Sequence, residues 1–510
     1  MQAFGISLDK YSIPIIYLAC SAVGFLLMRE SIHMFQHPIA SRAISVILEV
    51  GFIFLALPAI FSLKNINIPK KAIFLLVFWL SWTLASTLLG SHPWATMVRW
   101  FEILSSILTA LCIWLIVREK PELATILAKG IIVALLLCIF VFLAYWLITP
   151  NPVQHNWVTD IPLFVNIRHL GYLPAAALPI GYWLLELTST EKAQYSSKYI
   201  PTRSTSLIFI YLTLCWALIF WLGGRGAFLS VAIVTIVYFG LSKHRIRFVL
   251  AAIILGLILS QFFIVDVPNL NLLRFLDLFL NRSEKDLNTL SSSRIDIYYE
   301  SLIHWWKNAP ILGIGADGYR YITPSIIGVD SFFHPHNSII QLLISYGFPG
   351  LIVPLYLFIS FAVRMFSISN KKHLIFVLPI FSSLFLSLVD GILYHAYGLF
   401  ISTLLIGIGL AYAWPKNSNS LAGKQAANRH YSLCSILILS LVTILLYYSL
   451  FIYQLYQSKN GCVDEDWINW NAQYPIYFSP TWSYERYSID EIEDLKKIYV
   501  LSKKYISCLD

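Results

Sequence analysis

Two histidines and an asparagine stand at the start of a long apolar run in "FFHPHNSIIQLLISYGFPG", residues 332–350. An imidazole titrates near neutral pH, so His334 and His336 are candidates for moving a proton, and Asn337 can cap the helix that follows. Two other apolar runs open on cations in the same way: "NIRHLG" brings Arg168 and His169, and "GGRG" brings Arg225. Helix amino termini expose N–H groups and the positive end of the dipole, and a guanidinium matches phosphate oxygens two at a time. The glycines at 223, 224 and 226 would let a ligand approach the backbone closely. Arg294 adds a further cation. These residue types favour anion binding, and a diphosphate on a lipid headgroup is the ligand to look for.

Each of these residues also has a plain structural reading. Arginine near the end of an apolar run commonly anchors at the membrane surface, although Arg168 and Arg225 fall on the side that is otherwise poor in positive charge. The H-x-H pair could bind a metal, but no nearby Cys, Glu or third His completes a zinc-like set, so no metal and no cofactor are expected. "GIGADG", Gly313 to Gly318, matches a dinucleotide pattern by letter only; without alternating strands and helices around it, it reads as a tight turn. Glu102 with Arg99, and Asp390 with Tyr394, are polar groups at or near membrane depth that internal pairing explains about as well as catalysis does. Glu49 and Lys129 read as paired or snorkelling.

The elements that must position these residues follow from composition. Of 510 residues, 58% are hydrophobic and 12% charged, which is far outside the range of soluble domains. Apolar runs of spanning length lie near 12–28, 43–63, 71–90, 101–117, 123–148, 170–187, 205–222, 226–241, 247–265, 338–363, 373–389, 391–414 and 432–454. The fold class expected is therefore all-α: a polytopic membrane protein of about 12–13 transmembrane helices.

Lys and Arg concentrate in the loops after even-numbered runs, which sets those loops and the amino terminus in the cytoplasm. The net charge of +9 is largely these topological positives, so no nucleic-acid partner is expected. The domain reading is 1–265, nine spans; 266–336, a large periplasmic loop; 337–414, three spans; 415–431, a cytoplasmic linker; 432–454, a last span; and 455–510, a periplasmic tail. "YLAC" at Cys20 has a lipoprotein-like look, but the apolar run continues past it, as in a retained signal anchor. Cys462 and Cys508 are the two cysteines of the polar tail and could pair in an oxidising compartment. In the loop, "SSSRIDIYYESLIHWWKNAP" reads as an amphipathic interfacial helix, capped by Ser293, ended by Pro310, with Ile295, Tyr298, Leu302 and Trp305 or Trp306 on its apolar face.

At this point the motifs meet a family. "RHLGY", "GGRGAFLSVAI", "SSRIDIYYESLIHWWKNAPILGIGADGY" and "HPHNSIIQLLISYGFPGLIVPLYLF", in this order over about 160–365, resemble the O-antigen ligase and polymerase superfamily. The resemblance implies a glycan donor on undecaprenyl diphosphate, used at the periplasmic face of the bacterial inner membrane without metal or nucleotide sugar. The acceptor it implies is a lipid A core sugar for ligases, another glycan for polymerases, or a protein serine or threonine for O-oligosaccharyltransferases. It also implies that Arg168 and Arg225 bind the diphosphate and that His336, before Asn337, is the essential histidine. Arg294 could join the arginines, with His169, His334, Asn337 and Asp390 in support. The expected reaction is inverting transfer with His336 as base; the alternative of another class is a transporter of lipid-linked glycan.

Overall fold

The computed structural model describes residues 9–31, 38–63, 70–90, 93–157, 161–164, 167–193, 203–263, 294–319, 334–367 and 371–415. They form a helical bundle with no strand among the described residues. An apolar run of this length leaves its backbone no water to bond, and an α-helix satisfies every interior N–H and C=O within the segment. Each of the first twelve runs is accordingly a helix. In chain order these helices are α1 (Ser12–Ser31), α2 (Pro38–Phe61), α3 (Lys70–Leu89), α4 (Pro93–Glu119), α5 (Leu123–Ile148), the single turn α6 (Ile167–Leu170), α7 (Tyr172–Ala193), α8 (Arg203–Leu222), α9 (Arg225–Leu241), α10 (Ile246–Ser260), α11 (Arg294–Asn308), α12 (Ser338–Phe366), α13 (Lys371–Ser387) and α14 (Ala396–Ala413).

Among the described residues, seven helices are long and apolar enough to cross a membrane. The pair α9 and α10, expected as two spans, is bent by 114° at the turn around Lys243 and can be counted as an eighth. α1 and α13 hold shorter apolar stretches. The chain is thus an all-α polytopic membrane protein. The expected linker, the last span at 432–454, the tail and Cys434, Cys462 and Cys508 lie outside the described residues.

α2, α4 and α14 pack together at the centre, with α5 on α1, α8 on α10, and α13 against both α7 and α9. α5 shows how the pattern works: Leu123, Ala124, Leu127, Ala128, Ile131, Ala134, Leu135 and Cys138 are buried at three- and four-residue spacing, while Phe140 on the other side is exposed.

α12 is not the continuous helix that its apolar run suggests. Gly347 sits at φ 68, ψ −170, a conformation that only glycine adopts readily. Carbonyls on both sides of this break find donors. Ile314 N–H bonds the Ile344 carbonyl at 2.9 Å, and Gly315 N–H bonds that of Ser345 at 2.9 Å. Trp82 Nε1 donates to the Tyr346 carbonyl at 2.8 Å and Trp79 Nε1 to that of Gly350 at 2.8 Å. The "GIGADG" segment is therefore a turn, with Gly313 and Gly315 at positive φ, docked into the break.

α11 keeps Ile295, Leu302 and Trp306 of its expected apolar face exposed and turns Tyr298 and Trp305 partly inward. Ile297 and Ser301 are buried against the bundle and Tyr298 and Trp305 are half-buried, whereas Ile295, Tyr299, Leu302 and Trp306 form the exposed stripe. Spacing marks an apolar stripe but does not say which stripe meets protein, since in a membrane protein both sides of a helix can be apolar. Ser293 lies outside the described residues. Glu49 is likewise not snorkelling: it is fully buried, and its carboxyl accepts hydrogen bonds from Ser105 and from Ser106 at 2.9 Å.

Candidate functional site

The starts of α4, α7, α9 and α12 and the turn between α13 and α14 meet at one end of the bundle, where side chains from α7, α11, the residues before α12 and that turn converge. Asp390, in that turn, is the centre. Its Oδ1 accepts from Tyr172 Oη at 2.9 Å and from the Gly391 N–H at 2.8 Å, and lies 3.3 Å from His336 Nδ1. Its Oδ2 is 3.8 Å from an Arg294 guanidinium nitrogen. Burial alone would raise the Asp390 carboxyl. The His336 hydrogen bond and charge, Arg294 and the Gly391 amide outweigh it and hold the carboxyl well below its ordinary range. An ionised carboxylate can only accept, so His336 Nδ1 carries the hydrogen toward Asp390, and in the neutral ring the lone pair is then on Nε2.

The local sequence explains how His336 reaches this position. Pro335 fixes its own φ and favours the second position of a turn, and His336 follows at φ 52, in the left-handed region. That conformation costs about 1 kcal/mol or more for a residue with a Cβ. His334 Nδ1 accepts the His336 N–H at 3.1 Å, and Tyr298 Oη donates to the His336 carbonyl at 3.3 Å. Asn337 caps α12, its Oδ1 accepting from Ile339 N at 2.9 Å and Ile340 N at 3.1 Å, a contribution of about 1 kcal/mol. Its Nδ2 ties the cap to the Leu388 carbonyl at 2.9 Å.

Arg225 is the first residue of α9 and is exposed. Next to it, a Cβ built on Gly226 would touch Val389 and Leu386 and come within 4.0 Å of Asp390 Cβ, so the start of α9 abuts the Asp390 turn. Arg168 lies in α6, while its side chain is outside the described residues. His169 beside it has its ring centroid 3.8 Å from that of His395. His334 is buried, with its ring centroid 4.2 Å from His336 and 4.5 Å from Tyr394.

Behind this first layer lies a buried ionic layer. Asp317, from the "GIGADG" turn, accepts from Arg42 Nη1 at 2.8 Å and from Tyr394 Oη at 2.9 Å. The Arg42 guanidinium carbon stands 4.6 Å from the Tyr394 ring centroid, and Arg42 Nε is 3.3 Å from Glu102. Glu102 also pairs with Arg99, which donates to the Leu393 carbonyl at 2.7 Å. Glu102 and Arg99 are thus internally paired, and Asp390 bonds Tyr172 and His336 while Tyr394 serves Asp317.

Reading from sequence misses Tyr172, His395, Tyr298, Asp317 and Arg42. Tyr172 follows His169 by one helical turn and His395 follows Asp390 by five residues, which are faint local signals; Arg42 is a positive charge on the sparse side. Among the described residues, no group of three or more His, Cys, Asp or Glu side chains is arranged to hold a metal ion.

Fold and site together describe a polytopic membrane protein with a histidine–carboxylate pair and arginines gathered at one end of the bundle. Residues 210–355 match the model of the family described as O-antigen ligase, and this match supports membership of the O-antigen ligase superfamily. No curated protein matches the chain. The matched segment runs from α8 into α12; it contains Arg225, Arg294, His334, His336 and Asn337, and leaves Arg168, His169 and Asp390 outside. The family supports a membrane glycosyltransferase of ligase or polymerase type, with a lipid-linked glycan and an acceptor as substrates in general.

Proposed function

We propose that the protein transfers a glycan from undecaprenyl diphosphate to an acceptor hydroxyl, a lipid A core sugar in the first instance, at the periplasmic face of the bacterial inner membrane. The single observation that carries this reading is the His336–Asp390 contact of 3.3 Å beside Arg294 and the start of α9. The acceptor oxygen attacks the anomeric carbon as its proton passes to His336 Nε2. The bond from that carbon to the diphosphate breaks, and its electron pair leaves with the diphosphate, so the anomeric configuration inverts. Asp390 stabilises the imidazolium that forms, a general-base contribution of about 10²–10⁴-fold.

Arg225, Arg294 and Arg168 meet the charge that grows on the departing diphosphate, so the glycosidic oxygen needs no proton donor and no metal is invoked. The orientation rests on charge: Arg118, Lys120, Lys243 and Arg364 stand at the ends of helices opposite the site, which the positive-inside bias assigns to the cytoplasm. A glycan or a protein hydroxyl would be attacked through the same chemistry, as in a polymerase or a protein O-oligosaccharyltransferase.

The transporter reading draws on the break in α12, because transporters bind substrates at broken helices. The carbonyls at that break are engaged by Ile314, Gly315, Trp82 and Trp79, which argues against a substrate there. Proteoliposomes with donor and acceptor on one side separate the two. New glycosidic linkages are expected; donor crossing the bilayer without new linkages would overturn the enzyme.

A further inference from the structure

His334 takes no part in the proton transfer, yet it is more deeply buried than His336 and packs against the turn between α13 and α14. Its Nδ1 accepts the His336 N–H, two residues on, at 3.1 Å. Its ring packs 4.5 Å from that of Tyr394 and 5.4 Å from that of His395. The Tyr394 hydroxyl is fixed by Asp317, and Asp317 by Arg42. Gly391 forms the floor: a Cβ built there would run into the His334 ring, so a residue with any side chain would displace it.

We propose that His334 is a positioning residue: by accepting the His336 amide it holds the left-handed backbone that turns the His336 ring onto Asp390, and the Arg42–Asp317–Tyr394 layer holds His334 in place. The inference rests on His336 being the reacting base. It requires Nδ1 of His334 to be unprotonated. Burial opposes a charge on His334, and His336, His169 and Arg42 oppose it further, with Asp390 acting the other way; its pKa is held well below the ordinary histidine value. Among the described residues, Tyr394 and His395 also face it.

The chemistry of the acceptor suggests the test. Asparagine carries an amide oxygen where histidine carries Nδ1, so H334N can keep the bond to the His336 N–H, whereas H334L keeps the bulk and loses the acceptor. Hydrogen exchange is measured on the full-length protein in detergent, reading the peptide that carries the His336 amide. H334L is expected to exchange at least about tenfold faster there, with the rest of the bundle unchanged, and H334N to stay near wild type. Initial rates with an undecaprenyl-diphosphate-linked disaccharide as donor should show kcat falling in H334L, KM for donor unchanged, and kcat rescued in H334N.

Equal exchange and equal kcat in H334L, H334N and wild type would overturn the positioning role. Should H334L fail to accumulate, G391A is read instead: faster exchange at the same peptide supports the proposal and unchanged exchange overturns it. The exchange measurement needs no substrate. Failure of the glycosyltransferase reading would appear separately, as a wild-type protein that forms no linkage.

Discussion

His336 Nδ1 and Asp390 Oδ1 lie 3.3 Å apart across 54 residues of sequence. One stands at the cap of α12, the other in the turn between α13 and α14. The contact fixes the tautomer of the imidazole and supplies the negative charge that an imidazolium would need, and it defines what substitution should do.

Asp390→Asn keeps the shape of the turn and removes the charge. Turnover is expected to fall about 100-fold. Donor affinity should hold or tighten, because a negative charge beside Arg294 is gone. Steady-state kinetics with separate kcat and KM for the donor check this, and a weakened donor affinity with intact kcat would assign Asp390 to binding instead.

Arg225→Lys leaves a positive charge at the start of α9 but loses the planar fork. A charged hydrogen bond contributes about 1.5–3 kcal/mol, so kcat/KM for the donor should drop about tenfold or more. An unchanged value would make Arg225 a membrane anchor.

His334 gives a pH signature. Its folded pKa lies well below its ordinary 6.5, so folding opposes its protonation. The stability that neutral His334 contributes is complete above pH 6.5 and is lost as pH falls below that value, where the unfolded chain takes up a proton and the folded chain does not. Carbon-13 spectra of histidine-labelled protein should show His334 neutral at about pH 5.5. A charged ring at that pH would contradict the buried arrangement with Arg42, His169, His336, Asp390, Tyr394 and His395.

Gly347→Ala tests the break in α12. The backbone there is in a region closed to other residues, and an added Cβ would collide with the Ile311 carbonyl. A loss of about 3 kcal/mol or more is expected. Thermal unfolding in detergent reads it as a lowered midpoint, and an unshifted midpoint would mean that the turn from 310 to 318 does not depend on this break.

The helices were legible because an uninterrupted apolar run has one good backbone solution in lipid, and its length alone marks it. The break at Gly347 was not, since "SYGFPG" disappears inside such a run and its carbonyls are satisfied by residues far away in sequence, as Ile314 does for Ile344 and Trp82 for Tyr346. His336, Asn337 and Asp390 stood out as polar residues at run ends. Asp317 and Arg42 did not. Their partnership spans 275 residues and forms only when α2, the glycine turn and the Tyr394 turn are packed together. On α11 the inward turn of Tyr298 and Trp305 was hidden for a related reason: neighbouring apolar stripes on one helix look alike until another element covers one of them.

The central claim is that His336 takes the acceptor's proton while the arginines hold the donor. Its most direct test is His336→Ala in proteoliposomes with donor and acceptor on the same side, reading transfer and donor binding on the same preparation. The variant should accumulate in the membrane as wild type does, bind donor within about threefold, and transfer glycan at least about 100-fold more slowly. Undiminished transfer by that variant would contradict the account.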